Sequence, residues 1–449
     1  MISALGNILK VPDLRRKIFL TFALISVYRI GAHIPTPGID GAALAQFFEN
    51  ITRTTGGTLF GIMNLFSGGA MQNMTIFALG IMPYISSSII MQLLTTVIPQ
   101  LERLAKEGGE EGRRKITQYT RYGTVVLAII QSFFISLWLE NPAHFQGVQI
   151  VQFPGLSFRL LTILTLASGT AFIMWLGEQI TEHGIGNGMS IIITAGIVSR
   201  LPTAANQLFI LVSPFAPARR QIDVLTLIFM VVIMVGVIVA VVMITQGQRR
   251  IPVQYAKRII GRKIYGGQST YIAFRVNHAG VIPIIFAQSL LLFPATVAGF
   301  FPNRTFQSMA NALVRGNALY FVLYSMLIVF FCYFYTAITF NPVEVADNMK
   351  KYGGFIPGIR PGKPTASYFD RILTRVTLPG AVFLALIAVF PRLISRWLNI
   401  PFLIASFFGG TALLITVGVV LDTMKQIESQ LLMRHYDGFL KKGKLRSRR

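Results

Sequence analysis

Ten apolar runs recur along the chain, near residues 18–34, 75–97, 120–139, 158–177, 188–203, 222–244, 279–300, 318–340, 376–391 and 400–421. A helix needs about 20 apolar residues to cross a hydrocarbon core of ~30 Å. In lipid, every backbone N–H and C=O must be satisfied within the protein, so such runs are predicted to be helices. The fifth run is short for a crossing and the ninth barely long enough. Only 13% of the 449 residues are charged, about half the fraction of a soluble domain. The expectation is an all-α membrane protein of about ten spans.

Lys and Arg set its orientation. An even number of spans puts both termini on one side, together with the connections 98–121, 245–275 and 341–375. That side carries 31 of the 41 Lys and Arg residues, the opposite side nine. Basic loops stay cytoplasmic, so both termini are expected there. The connection 177–187 departs from the pattern, with Glu178 and Glu182 and no Lys or Arg. Basic residues (Lys10, Arg15, Arg16, Lys17) precede the first run, and no small-residue cleavage site follows; a retained span is expected, not a removed signal. Cys332 is the only cysteine and the five histidines are scattered, so neither a disulfide within the chain nor a metal site is expected, nor any cofactor.

One apolar run is too short to cross. Leu59, Phe60, Gly61, Ile62, Met63, Asn64, Leu65, Phe66, Ser67, Gly68, Gly69 and Ala70 make only ~18 Å of helix. A surface helix would suit this length. The Gly, Asn and Ser content makes a poor lipid-binding face and suits a loosely packed element that can move, so a re-entrant stopper is expected.

The second and seventh runs echo one another: Gly80-Ile81-Met82-Pro83-Tyr84-Ile85 and Gly280-Val281-Ile282-Pro283-Ile284-Ile285 share a Gly-x-x-Pro-x-Ile spacing. Five spans separate them, so the two cross in opposite directions. Inverted repeats place a pathway between their halves. A proline within a span frees backbone groups for a cavity or a neighbour. Ser86, Ser87, Ser88 and Gln92 on one of these helices, with Gln288 on the other, suit a weakly held seam, each interhelical hydrogen bond adding ~1 kcal/mol or less.

The polar loops exceed what topology needs. Residues 247–263 hold Arg249, Arg250, Lys257, Arg258, Arg262 and Lys263, and Arg360 sits between Pro357-Gly358 and Pro361-Gly362. Long ordered loops tend to be functional, and basic clusters beside Tyr255, Tyr265, Tyr352 and Phe355 suit RNA phosphates or an acidic protein face. Anionic lipid headgroups are the alternative for basic residues next to the spans. No phosphate-binding loop, Ser/His/Asp set or paired intramembrane carboxylate is present, and Arg29 is an exception in nearly charge-free spans. Such a chain is expected to be a passive conduit that something else drives.

The motifs GIMPYISSSIIMQLL (80–94), GEQITEHGIGNGMSIII (177–193), GQRRIPVQYAKR (247–258), GVIPIIFAQSLLLFP (280–294) and FNPVEVADNMKKYGGFIPGIRPG (340–362) together resemble the bacterial SecY family. The resemblance implies ten helices in two inverted five-helix halves (1–205 and 206–422) around a central pore, with a basic tail, 423–449. It implies a constriction ring at Ile81, Ile85, Met189, Ile193, Ile285 and Ile415, where Met189 departs from the usual branched aliphatic. It also implies a plug over residues 59–70, a lateral gate between spans 2–3 and 7–8 involving Ser87, Gln92 and Gln288, and a basic docking face for motor and ribosome. The implied partners are the small SecE and SecG subunits, the SecA motor, the ribosome, unfolded secretory and membrane protein substrates, and membrane lipids, all at the bacterial inner membrane. The rival from another class is a secondary transporter with inverted repeats, which needs a polar solute site at the midplane.

Overall fold

The computed structural model describes residues 11–54, 64, 66–145, 148–212, 223–255, 258–260, 263–265, 269–300, 318–398 and 400–442. Helix α1 (Pro12–Gly31) is followed by the short α2 (Gly41–Thr54), then α3 (Met82–Val97), α4 (Pro99–Lys106), α5 (Gly109–Glu140), α6 (Leu156–His183), α7 (Gly188–Val198), α8 (Leu201–Val212) and α9 (Val224–Gln246). After strands β1 (Gln248–Tyr255), β2 (Arg258–Ile260), β3 (Lys263–Tyr265) and β4 (Ser269–Arg275) come α10 (Ile282–Phe300), α11 (Ala318–Thr339) and α12 (Pro342–Lys351). Strand β5 (Gly354–Phe355), α13 (Lys363–Trp397), α14 (Phe402–Phe407) and α15 (Thr411–Lys442) complete the order.

Seven helical stretches among the described residues are long and apolar enough to cross a membrane on their own. Helices α1, α3 and α10 bring the crossings to ten. Each falls short for a visible reason: α1 carries Arg15, Arg16, Lys17 and Arg29, α3 has 16 residues and bends by 100° into α4, and the apolar part of α10 is Ile282–Leu292. Helix α9 is apolar all round and mostly exposed, with Leu225, Ile228 and Val232 facing outward, as a lipid-facing helix must be.

The fifth run is longer than expected, because the chain breaks only at Ser199–Arg200 and resumes as α8 to Val212. The boundary expected at 205/206 therefore falls inside a helix. The tail expected from residue 423 continues α15 as far as Lys442.

The echo of the second and seventh runs is a matched helix start, and here the reading of Pro83 and Pro283 as mid-span prolines is corrected. Gly80 and Gly280 have φ of +58° and +63°, a left-handed turn open to glycine. Helices α3 and α10 begin two residues later, at Met82 and Ile282, so each proline lies in a first turn, where no N–H is needed. Residues 75–81, expected to be helical, form irregular buried turns.

The connection 177–187 is the end of α6 followed by a packed turn, with residues 181–183 and 187 exposed. Gly184, Ile185 and Gly186 are buried; Ile185 N–H donates to Thr21 Oγ1 of α1 (3.1 Å) and Gly186 N–H to Gln426 Oε1 of α15 (2.9 Å). Glu178 accepts from Arg121 Nε of α5 at 2.7 Å. A Cβ on Gly188 would collide with the Gly177 carbonyl of α6. Gly188→Val is expected to destabilise the protein by ~1–3 kcal/mol, read as a lower Tm in detergent; an unchanged Tm would refute this packing.

The long connections are not all loop. Strand β1 pairs with β4 and β5 in a three-stranded antiparallel sheet, and β2–β3 form a separate hairpin. Ile251 and Val253 of β1 are buried with Phe274, Met349, Ile356 and Phe369 in a second core. The connections 245–278 and 341–375 are thus one platform.

Candidate functional site

The main apolar core is a single contiguous cluster in which α3, α7, α10 and α15 take part. Ile81 and Ile85 come from the start of α3, Ile193 from α7, Ile285 from α10 and Ile415 from α15, and none of the five is more than 6% exposed. Helix α3 packs on α10, and α7 on α15. Val281, before α10, lies against Gly418 of α15. Met189 is half-buried at the cluster's edge, with its sulfur against Gly177 of α6.

Towards the platform the apolar cluster gives way to a polar cavity of about 410 Å³, whose lining includes Ser190, Arg275, Asn277, His278, Asp422 and Lys425. Burial, and then Arg275, lowers the pKa of His278 from its ordinary value. Val281, Ile282 and Val419 also line this cavity.

The seam between α3 and α10 is uneven in its polar contacts. Ser87, expected in the gate, donates to the Thr120 carbonyl of α5 at 2.8 Å and faces Gly123. It ties α3 to α5 within the N-terminal part and does not bridge the seam. Gln92 Nε2 reaches only Ser88 Oγ, at 3.5 Å. Gln92 Oε1, Gln288 Nε2 and Ser289 Oγ are buried with no hydrogen-bond partner among the described residues. Leaving such a group unpaired costs ~1–3 kcal/mol. On the far side, where α7 meets α15 and α8 meets α14, the Gly186–Gln426 bond is made.

Of the expected stopper, Leu59, Phe60, Gly61, Ile62, Met63 and Leu65 lie outside the described residues. Asn64, Phe66, Ser67, Gly68, Gly69 and Ala70 are all buried, in a turn leading towards α3. Lys257 and Arg262 also lie outside the described residues. The backbones of Arg258 and Lys263 belong to the β2–β3 hairpin. Arg249, Arg250 and Arg360 are exposed on the platform. Arg250 stacks over the Tyr271 ring at 4.8 Å, and Arg360 is presented between Gly358 and Gly362, with φ of +81° and +98°.

The family model described as SecY matches residues 75–424. The chain belongs to the SecY family. The protein translocase subunit SecY of Aquifex aeolicus (strain VF5) is 46% identical over 438 residues, covering 98% of this chain and 99% of that one. Among solved structures, one described as "The structure of a protein conducting channel" superposes with a TM-score of 0.62 at 17% identity, covering 92% of each chain. A second, described as Sec61 in the canine ribosome-channel complex from the endoplasmic reticulum, gives 0.58 at 16% identity, again covering 92% of each chain. The SecY fold places the echoing helices α3 and α10 side by side and makes the chain a multi-pass membrane protein. Two groups that sequence reasoning passed over lie in this region. Arg29 and Arg200, noted only as a stray charge and a loop charge, reach the Gly68–Gln72 turn. Gln426, unremarked in a basic tail, joins α15 to the turn before α7.

Proposed function

We propose that this chain is the protein-conducting subunit of a bacterial Sec translocase, passing unfolded polypeptides through its centre and releasing apolar segments sideways into lipid. What carries this reading is the burial of Ile81, Ile85, Ile193, Ile285 and Ile415, from four separate segments, in the main apolar core beside a polar cavity. An aliphatic collar narrow enough to exclude water blocks ions without a charged barrier. It also yields to a chain of any sequence, since it asks for no specific hydrogen bond. A small-solute transporter would need a polar cradle where these isoleucines meet. With Met189 as a sixth, peripheral member, the collar separates two halves that meet weakly along α3–α10, the gate, and firmly along α7–α15. Residues 59–70 plug the collar from the side opposite the platform.

The platform faces the cytoplasm of the inner membrane in this reading, which the charge asymmetry supports, and both termini lie on that side. The driving force comes from partners: a SecA-type ATPase or the ribosome docking on Arg249, Arg250, Arg258, Lys263 and Arg360, with Lys257 and Arg262 contributing. SecE- and SecG-type subunits and lipids surround the helices. The direct test is reconstitution. Vesicles holding the chain with its small subunits, given motor, ATP and an unfolded preprotein, are expected to shield the preprotein from added protease; no shielding would overturn the proposal. Arg360→Glu inverts the charge at the exposed tip and is expected to cut motor-driven export about tenfold or more, while the channel still assembles in the membrane. The size follows from losing a charge-assisted contact and adding repulsion. Export at the normal rate would remove Arg360 from the docking face.

A further inference from the structure

The turn at the end of the stopper is held from two directions. Tyr28 Oη donates to the Ser67 carbonyl at 3.3 Å and Arg29 Nη1 to the Gly68 carbonyl at 3.3 Å, both from α1. At the break between α7 and α8, Arg200 Nη2 donates to Gln72 Oε1 at 3.1 Å, an oxygen that also accepts from Asn64 Nδ2 at 3.2 Å. Gln72 N–H returns a bond to Asn64 Oδ1 at 3.0 Å and Gly69 N–H one to the Asn64 carbonyl at 2.9 Å, so 64–72 closes on itself. Gly68 and Gly69 have φ of +66° and +95°. A Cβ on Gly68 would lie 2.8 Å from Gly196 Cα and 3.1 Å from Arg29 Nη1, and one on Gly69 would lie 3.1 Å from Arg200 Nη1. The two guanidinium groups therefore rest against neighbouring residues of one turn.

We propose that Arg29 and Arg200 are positioning residues that latch this turn from opposite sides, so that an arriving polypeptide must undo them before the stopper leaves. The inference rests on the reading of residues 59–70 as a plug. The latch is built to release. Neither arginine forms an ion pair with a described residue; both bind neutral oxygens, and the like charges oppose each other across the turn. A carboxylate partner inside the membrane would hold far harder. The break at Ser199–Arg200, imposed by Pro202, which cannot continue the hydrogen bonding to the Val198 carbonyl, lets α7 end where Arg200 can reach the turn.

The test reads how often the turn opens. Ala70 is fully buried, so in a Cys332→Ser background Ala70→Cys should react slowly with a membrane-impermeant maleimide added on the face opposite the platform. Arg200→Met, and separately Arg29→Met, are expected to speed that reaction about tenfold or more, the factor for one charge-assisted hydrogen bond, at an unchanged Tm. Gln72→Met removes the acceptor, and with it the Asn64 Nδ2 bond, without altering a helix and should speed labelling at least as much as Arg200→Met, which keeps the test valid if an arginine variant fails to fold. Arg200→Lys should fall between. Labelling within twofold of the parent in all three methionine variants overturns the latch, and so does acceleration accompanied by an equal loss of Tm, which marks a simple brace. A translocating preprotein should accelerate labelling when the latch is intact; if it does not, the plug reading fails, whatever the arginines do.

Discussion

Replacing Ile85 and Ile285 together by asparagine is expected to raise the resting ion conductance of reconstituted channels by about tenfold or more. The two residues sit at equivalent registers of the echoing helices α3 and α10, are 5% and 6% exposed, and share one apolar cluster. A ring of aliphatic side chains seals by dewetting, because a narrow apolar constriction offers water no hydrogen bonds. Burying an amide without a partner costs ~2–7 kcal/mol, and two amides at the collar relieve that cost by drawing water in. Even ~1.4 kcal/mol of extra hydration is a tenfold change in the open-to-ions population. Ile85→Leu with Ile285→Leu keeps the volume and the apolar surface and should leave conductance near the parent value. Single-channel recordings in planar bilayers, without substrate, separate the cases. An asparagine pair that conducts no more than the leucine pair would falsify the collar.

The fold was legible in the chain wherever lipid dictates the pattern. Apolar runs near 120–139, 158–177 and 318–340 became α5, α6 and α11 because a backbone in lipid has little alternative. Reading failed where protein, not lipid, surrounds the chain. Residues 75–81 are apolar but enclosed by neighbouring elements, so their composition matches a span while the backbone, freed by glycines and by Met74 at φ +43°, takes turns. The β1 strand carried a period of two in Arg250-Ile251-Pro252-Val253-Gln254, with Ile251 and Val253 inward; a run of basic residues hid it. The burial of Ile85 and Ile285 at matching positions was legible through the Gly-x-x-Pro-x-Ile echo. The partner of Ser87 was not, since a serine mid-span is equally suited to the seam or to the next helix, and only the structure shows its bond to the Thr120 carbonyl. Arg29 and Arg200 could not be paired from sequence: 171 residues separate them, and the Gly68 carbonyl that Arg29 reaches is a backbone group, which leaves no mark on side-chain composition.

Tethering α3 to α10 is expected to abolish export and the release of apolar segments, and cleaving the tether to restore both. On α3 and α10, Gln92 Oε1, Gln288 Nε2 and Ser289 Oγ lack partners among the described residues, while Gly186 and Gln426 are joined at 2.9 Å between the turn before α7 and α15. At ~1–3 kcal/mol per unmet group, the closed seam is worth several kcal/mol less than a fully paired one. An apolar helix of about 20 residues gains up to ~6–12 kcal/mol on entering lipid. In the proposed reading, that gain helps part α3 from α10 as an apolar segment leaves. A tether changes this balance, because a covalent link adds far more than any transfer energy. Gln92→Cys and Gln288→Cys, joined by a reducible bis-thiol reagent, place it across the seam; Cys332 is buried and should not compete. Each single-cysteine variant should export normally after the same treatment. Export that continues through the tethered pair, or that stays lost once the tether is reduced, would place the exit elsewhere and leave α3–α10 as ordinary packing.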